Sequence, residues 1–121
     1  MYKILLKETD MIEENHFPAI ALINEAFNTN PVEFVSNLAK CVGSCYNYAS
    51  CSFWEELDNY DKLNTEKFDG IMINTEDGEE TVMSIKVFIY YLNIAYERLE
   101  CGTFQDQQSI KTAIDSLKNS R

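Results

Sequence analysis

The sequence lacks the features that mark membrane proteins and nucleotide-binding proteins. It has no run of about 18 apolar residues, so we expect no segment of it to span a membrane. Its 4 glycines stand apart from one another, and none begins a glycine-rich loop that leads into a helix. Such loops cradle phosphates with their backbone N–H groups, so nucleotide binding is not expected either.

Basic residues are scarce. The chain has 10 lysines and arginines against 20 aspartates and glutamates, which gives a formal net charge of −10. Proteins that bind nucleic acid need lysine and arginine to neutralise phosphates, so this composition argues against a nucleic-acid partner. Most of the excess lies in residues 55–80, which hold 10 acidic and 2 basic residues. A field of this kind attracts basic proteins, although acidic residues also serve simply to keep a small protein in solution.

One histidine and four cysteines limit the available site chemistry. The chain begins without a recognisable export signal, so we expect it in the cytoplasm, with Cys41, Cys45, Cys51 and Cys101 as reduced thiols. Their spacing does not give the paired Cys or His ligands of a zinc site. Cys41, Cys45 and Cys51 lie beside apolar stripes and are expected to fill the core. His16 is expected at the surface or capping a helix, and a catalytic Cys–His pair stays open as an alternative.

The acidic residues do not form a known catalytic or calcium-binding motif. The run Asp58-Asn59-Tyr60-Asp61-Lys62-Leu63 breaks the ligand order of an EF-hand loop. A hydrolase with paired carboxylates remains a second enzyme alternative, and it would need a cleft and one acid with a raised pKa. The sequence predicts no catalytic residue, metal ligand or cofactor, and therefore a protein that is not an enzyme.

Helical patterns occupy both ends of the chain, which at 121 residues is expected to form a single domain over residues 1–121. Apolar residues recur with a helical period in 17–28. Asn30 is placed to cap a second helix that Gly43 would end. Ser84 is placed to cap a third helix that runs to about Glu100 and stops at Gly102. The last helix is predicted over about 104–119.

A small sheet is predicted between these helices. The Asp77-Gly78 pair in the turn 75–78 separates two β-prone runs, 68–74 and 79–83, which is a strong hairpin signal. The aromatic residues of 45–54 favour another strand, although a continued helix is an alternative. The overall prediction is an α+β fold, with about four helices packed on a small antiparallel sheet that contains the hairpin near 68–83.

Two segments give weaker patterns. Residues 2–7 alternate weakly and are predicted to form either an edge strand or the start of a helix. Residues 55–67 are predicted to form a polar, acidic loop with isolated apolar anchors at Leu57, Tyr60 and Leu63.

Aromatic residues run directly into the acidic segment. Tyr46, Tyr48, Phe53 and Trp54 precede Glu55 and Glu56, and aromatic anchors beside charged groups are typical of protein interfaces. The alternative interpretation places Phe53 and Trp54 in the core, because large aromatic residues dominate the cores of small domains.

Several of these features occur in an order that resembles a known family. The chain resembles the immunity proteins of bacterial contact-dependent growth inhibition systems, in the group that neutralises ribonuclease toxins. The resemblance covers most of residues 17–100 and lies in the following features: Phe17-Pro18 opening a helix, an Asn30-Pro31 helix start, the stretch from Cys41 to Tyr46, the run from Ser52 to Glu56, Phe68-Asp69-Gly70-Ile71, Val82-Met83-Ser84, Tyr90-Tyr91-Leu92 and Tyr96-Glu97-Arg98-Leu99.

The resemblance implies a cytoplasmic protein without enzymatic activity that binds the C-terminal nuclease domain of a cognate toxin, one to one, and often covers its active site. Ribonucleases hold phosphates and are commonly basic, which agrees with the acidic segment. Charge and position, rather than the resemblance, select the predicted toxin-binding residues: Trp54, Glu55, Glu56, Asp58, Asp61, Asp69, Glu76 and Asp77. The alternative is an acidic adaptor or regulatory module unrelated to toxins, which could act as a homodimer.

Overall fold

A computed structural model describes residues 3–99 and 104–120, and within them the chain forms five α-helices and one four-stranded antiparallel sheet. The predicted α+β class is confirmed, and four of the five helices are longer than six residues. The elements are α1 (Phe17–Thr29), α2 (Pro31–Ala39), β1 (Ser44–Cys45), β2 (Ala49–Ser52), α3 (Asn59–Asn64), β3 (Ile71–Thr75), β4 (Glu80–Met83), α4 (Ile85–Arg98) and α5 (Phe104–Ser120).

The helix starts follow their sequence signals. Asn30 caps α2, because its side-chain oxygen accepts a hydrogen bond from the backbone N–H of Glu33 at 3.1 Å. Ser84 caps α4 in the same way, accepting from Val87 N–H at 3.2 Å. The predicted end of α4 near Glu100 and the stop at Gly102 lie outside the described residues, and the last helical residue described there is Arg98.

The end of α2 differs from the prediction, because the helix stops at Ala39 rather than continuing to Gly43. Cys41 adopts a left-handed backbone with φ of 61°. The N–H groups of Cys41 and Val42 then bond to the carbonyls of Leu38 and Asn37, at 3.0 and 2.9 Å. This pattern closes a helix after its last turn. Cys41 and Val42, which lie before the predicted stop at Gly43, are therefore beyond the end of the helix, and Val42 is exposed.

Gly43 does not end the helix; it allows the backbone at this position to pack closely against Cys51. A Cβ atom at this position would lie 2.1 Å from the carbonyl oxygen of Cys51, which no side chain tolerates. Glycine therefore allows the chain to enter β1 directly against β2.

The four strands form a simple meander in the order β1-β2-β3-β4. Between β3 and β4, the N–H of Thr75 donates to the carbonyl of Glu79 at 2.9 Å and encloses a three-residue turn over 76–78. Gly78 takes the left-handed position of this turn, with φ of 89°. The predicted hairpin is confirmed. One sheet face is buried and packs on α1, and its side chains are those of Ala49, Cys51, Ile71, Ile73, Thr75, Thr81 and Met83.

The helices complete the core on the buried side of the sheet. α1 packs against β2 and β3 as well as α4, and α5 packs against α2 and α4. Phe34 of α2 makes edge-to-face contacts with Phe27 and Phe88, at ring-centroid distances of 6.3 and 6.4 Å. No helix in the described part of the chain is long and apolar enough to cross a membrane.

The amino-terminal segment is neither the strand nor the helix that its sequence suggested. Residues 3–7 have no regular secondary structure, and Tyr2 lies outside the described residues. The buried Asn24 of α1 accepts bonds from the N–H groups of Leu5 and Leu6 at 3.0 and 2.9 Å and donates to the Leu6 carbonyl at 2.9 Å. The Asn24 side chain therefore supplies the hydrogen bonds that a neighbouring strand would otherwise give to this backbone.

Candidate functional site

The eight predicted site residues divide between two ends of the sheet. The segment 53–70 leaves β2 and returns to β3, so both of its ends lie at one end of the sheet, whereas the β3–β4 turn lies at the other. β3 has five residues, so the two ends are roughly 13 Å apart along the strand. We call the segment 53–70 the α3 end, which holds the predicted residues Trp54, Glu55, Glu56, Asp58, Asp61 and Asp69. We call the β3–β4 turn the turn end, which holds Glu76 and Asp77.

The α3 end has more regular structure than the loop predicted for residues 55–67. A short 3₁₀ turn spans Trp54–Glu56, and α3 follows at Asn59–Asn64. Asp58 caps α3, because its Oδ1 accepts a bond from Asp61 N–H at 2.8 Å. The loop prediction was wrong here because α3 has no buried residue, so its two apolar residues, Tyr60 and Leu63, do not form the core-facing stripe from which a helix is usually predicted.

Glu56 uses its carboxylate to hold the backbone together. Its Oε1 accepts from the N–H of Phe53 at 2.9 Å, and both of its oxygens lie near the N–H of Gly43, at 2.9 and 3.0 Å. The carboxylate thus joins the exit of β2 to the entry of β1. Glu56 is a structural residue of the α3 end, whatever else it contacts.

Phe53 and Trp54 have different environments. Phe53 is fully buried in the core. Trp54 is half-buried, with its ring edge-on to Phe68 at 5.6 Å and the Nζ of Lys62 at 5.9 Å from the ring centroid. The core interpretation therefore holds for Phe53, whereas Trp54 joins the surface of the α3 end to the segment that enters β3.

Three other acidic residues of the α3 end face solvent and form no contact ion pair with a described lysine or arginine. Glu55, Asp61 and Asp69 are exposed. Within residues 3–99 and 104–120, no acidic residue of 55–80 has a carboxylate oxygen within 4.0 Å of a lysine or arginine nitrogen. Contact ion pairs therefore do not cancel the charge of this surface.

The turn end is built around Tyr48. The hydroxyl of Tyr48 donates to Asp77 Oδ2 at 2.7 Å, and this hydrogen bond raises the pKa of Tyr48. The carbonyl of Tyr48 accepts from Glu76 N–H at 2.7 Å. The carboxylate of Glu25 on α1 accepts from the N–H groups of Tyr48 and Ala49 at about 3.0 Å. Asp77 is thus engaged by the fold, while the Glu76 side chain is exposed.

A groove of about 570 Å³ opens beside the turn end, between residues 4–8 and α1. Its lining is mostly apolar, and two of its polar residues, Asn24 and Glu25, already bond to the backbone. The groove therefore offers a concave and mostly apolar surface.

His16 is buried rather than at the surface, and it occupies the N-cap position of α1. Its side chain makes no capping bond, and its Nδ1 lies 2.7 Å from the hydroxyl of Tyr91. The same hydroxyl accepts from Ile12 N–H at 3.0 Å, and the Nε2 of His16 lies 3.4 Å from Glu13. The imidazole bonds to a tyrosine and faces a glutamate, so these contacts do not form the Cys–His pair of the thiol-enzyme alternative.

The described cysteines, Cys41, Cys45 and Cys51, have three different environments. Cys51 is buried in the core as expected, and burial raises the pKa of its thiol to about 12, so it is protonated at neutral pH. Cys41 is half-buried, and Cys45 is exposed rather than in the core. Cys101 lies outside the described residues. Within the described ranges, no group of three or more His, Cys, Asp or Glu residues could hold a metal ion.

Two exposed apolar residues of the α3 end were not among the predicted site residues. Tyr60 is 73% exposed and Leu63 is 86% exposed, although both were expected to anchor a loop to the core. Tyr60 and Leu63 are three residues apart and follow the capping Asp58. This spacing is the sequence signal that places both side chains on one side of a helix.

Compared with known proteins, the chain matches no model of a protein family, and no curated protein matches it significantly. The geometry of the α3 end and the order of features in the sequence are therefore the observations from which a function follows.

Proposed function

We propose that this chain is an immunity protein that binds and neutralises a ribonuclease toxin domain in the cytoplasm of the cell that makes both. It acts by occupying the cationic face of the toxin with the acidic surface of the α3 end, in a one-to-one complex. It needs no cofactor or metal and catalyses no reaction.

One observation carries this proposal: the exposed carboxylates of the α3 end have no lysine or arginine within contact distance in the described part of the chain. A group of like charges without partners raises the electrostatic free energy of the folded state through mutual repulsion. A protein that has such a group at its surface is therefore a candidate to bind an oppositely charged partner. A cationic partner offsets that cost on binding and is drawn to the surface by long-range attraction.

The chemistry of ribonucleases fits such a surface. A nuclease active site must hold phosphate groups, so it presents lysine, arginine or histidine. Carboxylates placed over that site compete for the same cationic groups that RNA uses. Inhibition then follows from occupancy alone.

The direct test is protection of cells. The probe is the C-terminal domain of the protein encoded by the gene directly upstream, referred to below as the toxin domain. We expect cells that produce the toxin domain to grow only when the present chain is produced with it, and the two purified proteins to form a one-to-one complex by light scattering. A toxin domain that kills cells equally with and without this chain would contradict the proposal.

The same light-scattering measurement distinguishes the proposed immunity function from the adaptor alternative. A chain that forms a stable homodimer and does not bind the toxin domain would favour an adaptor or regulatory module. We expect a monomer, because pairing two copies through the α3 end would bring like charges together.

A further inference from the structure

Helix α3 presents apolar side chains outward. It spans Asn59–Asn64, and none of its residues is buried. Tyr60 and Leu63 are 73% and 86% exposed and lie three residues apart, so they share one side of the helix. Leu63 and Tyr60 are the two most exposed large apolar residues of the described chain.

This arrangement is unusual for so short a helix. A helix of six residues is marginal in water, and in proteins such helices normally form because an apolar face packs on the core. The fold holds α3 through other groups: Asp58 caps its start, and Lys62 lies over the ring of Trp54. The apolar pair on α3 therefore does not contribute to the core and is free to contact another molecule.

The charges around α3 indicate what kind of molecule that is. Asp58 and Asp61 lie on or beside the helix, and Glu55 and Glu66 flank it, all exposed. A second copy of this chain would meet like charge at this surface. A cationic protein domain would meet opposite charge, and aromatic and aliphatic anchors surrounded by complementary charge are typical of the centres of protein interfaces.

We propose that Tyr60 and Leu63 are the anchors by which this chain docks into an apolar cleft on a cationic protein domain. The inference rests on the proposed function and specifies its contact: the carboxylates of the α3 end attract the partner, and the apolar pair holds it. Electrostatic attraction governs the association rate, whereas the apolar anchors, once buried in the complex, govern the dissociation rate.

The test compares two double variants in binding to the toxin domain. Tyr60→Ala with Leu63→Ala removes the proposed anchors. Val82→Ala with Tyr90→Ala removes exposed apolar side chains from β4 and α4, where they are 42% and 45% exposed. We expect the first variant to raise Kd at least about tenfold through faster dissociation, and the second to change it less than about threefold.

The salt dependence of binding adds a readout that a general loss of structure would not reproduce. Loss of an apolar contact should leave the slope of log Kd against log salt concentration unchanged, because no charge is altered. The circular dichroism spectrum and melting temperature of the Tyr60→Ala, Leu63→Ala variant should match those of the wild type, because neither side chain is buried. Should the pair of changes unfold the protein, Leu63→Ala alone, at the more exposed position, provides the same comparison.

Three results would overturn the inference. If the wild type binds the toxin domain and the anchor variant binds equally well, the anchors are wrong and the proposed function stands. If the wild type does not bind the toxin domain, both proposals fail together. If the wild type is a dimer that the anchor variant converts to a monomer, the apolar pair serves self-association instead.

Discussion

Neighbouring acidic residues of the α3 end have different roles, although their side chains are chemically alike. Glu56 accepts hydrogen bonds from the N–H groups of Phe53 and Gly43, and Asp58 caps α3. Glu55 is exposed without such a bond in the described chain. Replacing all of these acids together would therefore mix effects on folding with effects on binding.

The structural role of Glu56 can be measured directly. We expect Glu56→Ala to lower the free energy of unfolding by about 1–2 kcal/mol, because two backbone N–H groups lose their acceptor. Glu55→Ala is the matched control and should change it by less than about 0.5 kcal/mol. Urea unfolding measures both, and equal values for the two variants would refute the assignment.

Asp10 and Arg98 form the one arginine–carboxylate pair described for the chain. The guanidinium of Arg98 donates to both oxygens of Asp10, at 2.7 and 3.0 Å, and also to the carbonyl of Leu5 at 2.8 Å. The hydrogen bond from Arg98 lowers the pKa of Asp10 below its ordinary value. The pair ties the amino-terminal segment to the end of α4.

This shift sets the pH dependence of the pair. Because the pKa of Asp10 is lower in the folded state, its contribution is complete above the unfolded value of about 3.9 and is lost as pH falls through the folded value. We expect wild type to exceed Asp10→Asn in free energy of unfolding by about 1 kcal/mol at pH 7, with the difference shrinking below about pH 4. Urea unfolding from pH 7 to pH 3 measures it, and a constant difference across that range would count against the pair.

At the scale of elements, local signals predicted the structure well where local chemistry decides it. The caps at Asn30 and Ser84 and the Asp77-Gly78 hairpin each depend on residues within four positions of one another. These features were read from sequence because their hydrogen bonds close within the same segment.

Features that depend on distant residues, or on a backbone conformation without a sequence signal, were predicted poorly. The segment 3–7 is held in place by Asn24, whose side chain accepts bonds from Leu5 and Leu6, 19 and 18 positions away along the chain. The early end of α2 requires a left-handed Cys41, which carries no sequence signal of the kind that glycine gives. His16 is buried because Tyr91, on α4, supplies a partner for its ring.

We therefore expect Asn24 to contribute more to the free energy of unfolding than an exposed polar residue of a helix does. We expect Asn24→Ala to lower the free energy of unfolding by about 2–3 kcal/mol, because Leu5 and Leu6 lose their buried partners. Asn93→Ala, at an exposed position of α4, is the control and should lie within about 0.5 kcal/mol of the wild type. Urea unfolding distinguishes the two, and a loss at Asn24 no larger than at Asn93 would contradict the role assigned to it.

At the scale of the whole molecule, charge counted along the chain does not give the position of charge in space. Residues 55–80 formed one acidic segment in the sequence, but β3 passes through its middle and carries Glu76 and Asp77 to the opposite end of the sheet. Sequence therefore supplied the residue types of the candidate site, while the grouping required the strand topology. Tyr60 and Leu63 were predicted as apolar anchors of a loop, whereas they lie exposed on a helix without buried residues.

The central claim is that the α3 end, rather than the turn end, attracts a cationic protein partner. Two triple variants test it with the same change in net charge: Glu55→Lys, Asp61→Lys and Glu66→Lys at the α3 end, and Glu76→Lys, Glu79→Lys and Glu80→Lys beside the turn. All six residues are exposed, and neither set includes Glu56 or Asp58.

The deciding measurement is the association rate with the toxin domain as a function of ionic strength. We predict that the α3-end variant associates at least about tenfold more slowly than the wild type at low salt and loses most of the salt dependence, because steering depends on local charge. The turn variant should stay within about threefold of the wild type. An α3-end variant with an unchanged rate, or a turn variant that is the slower of the two, would contradict the account.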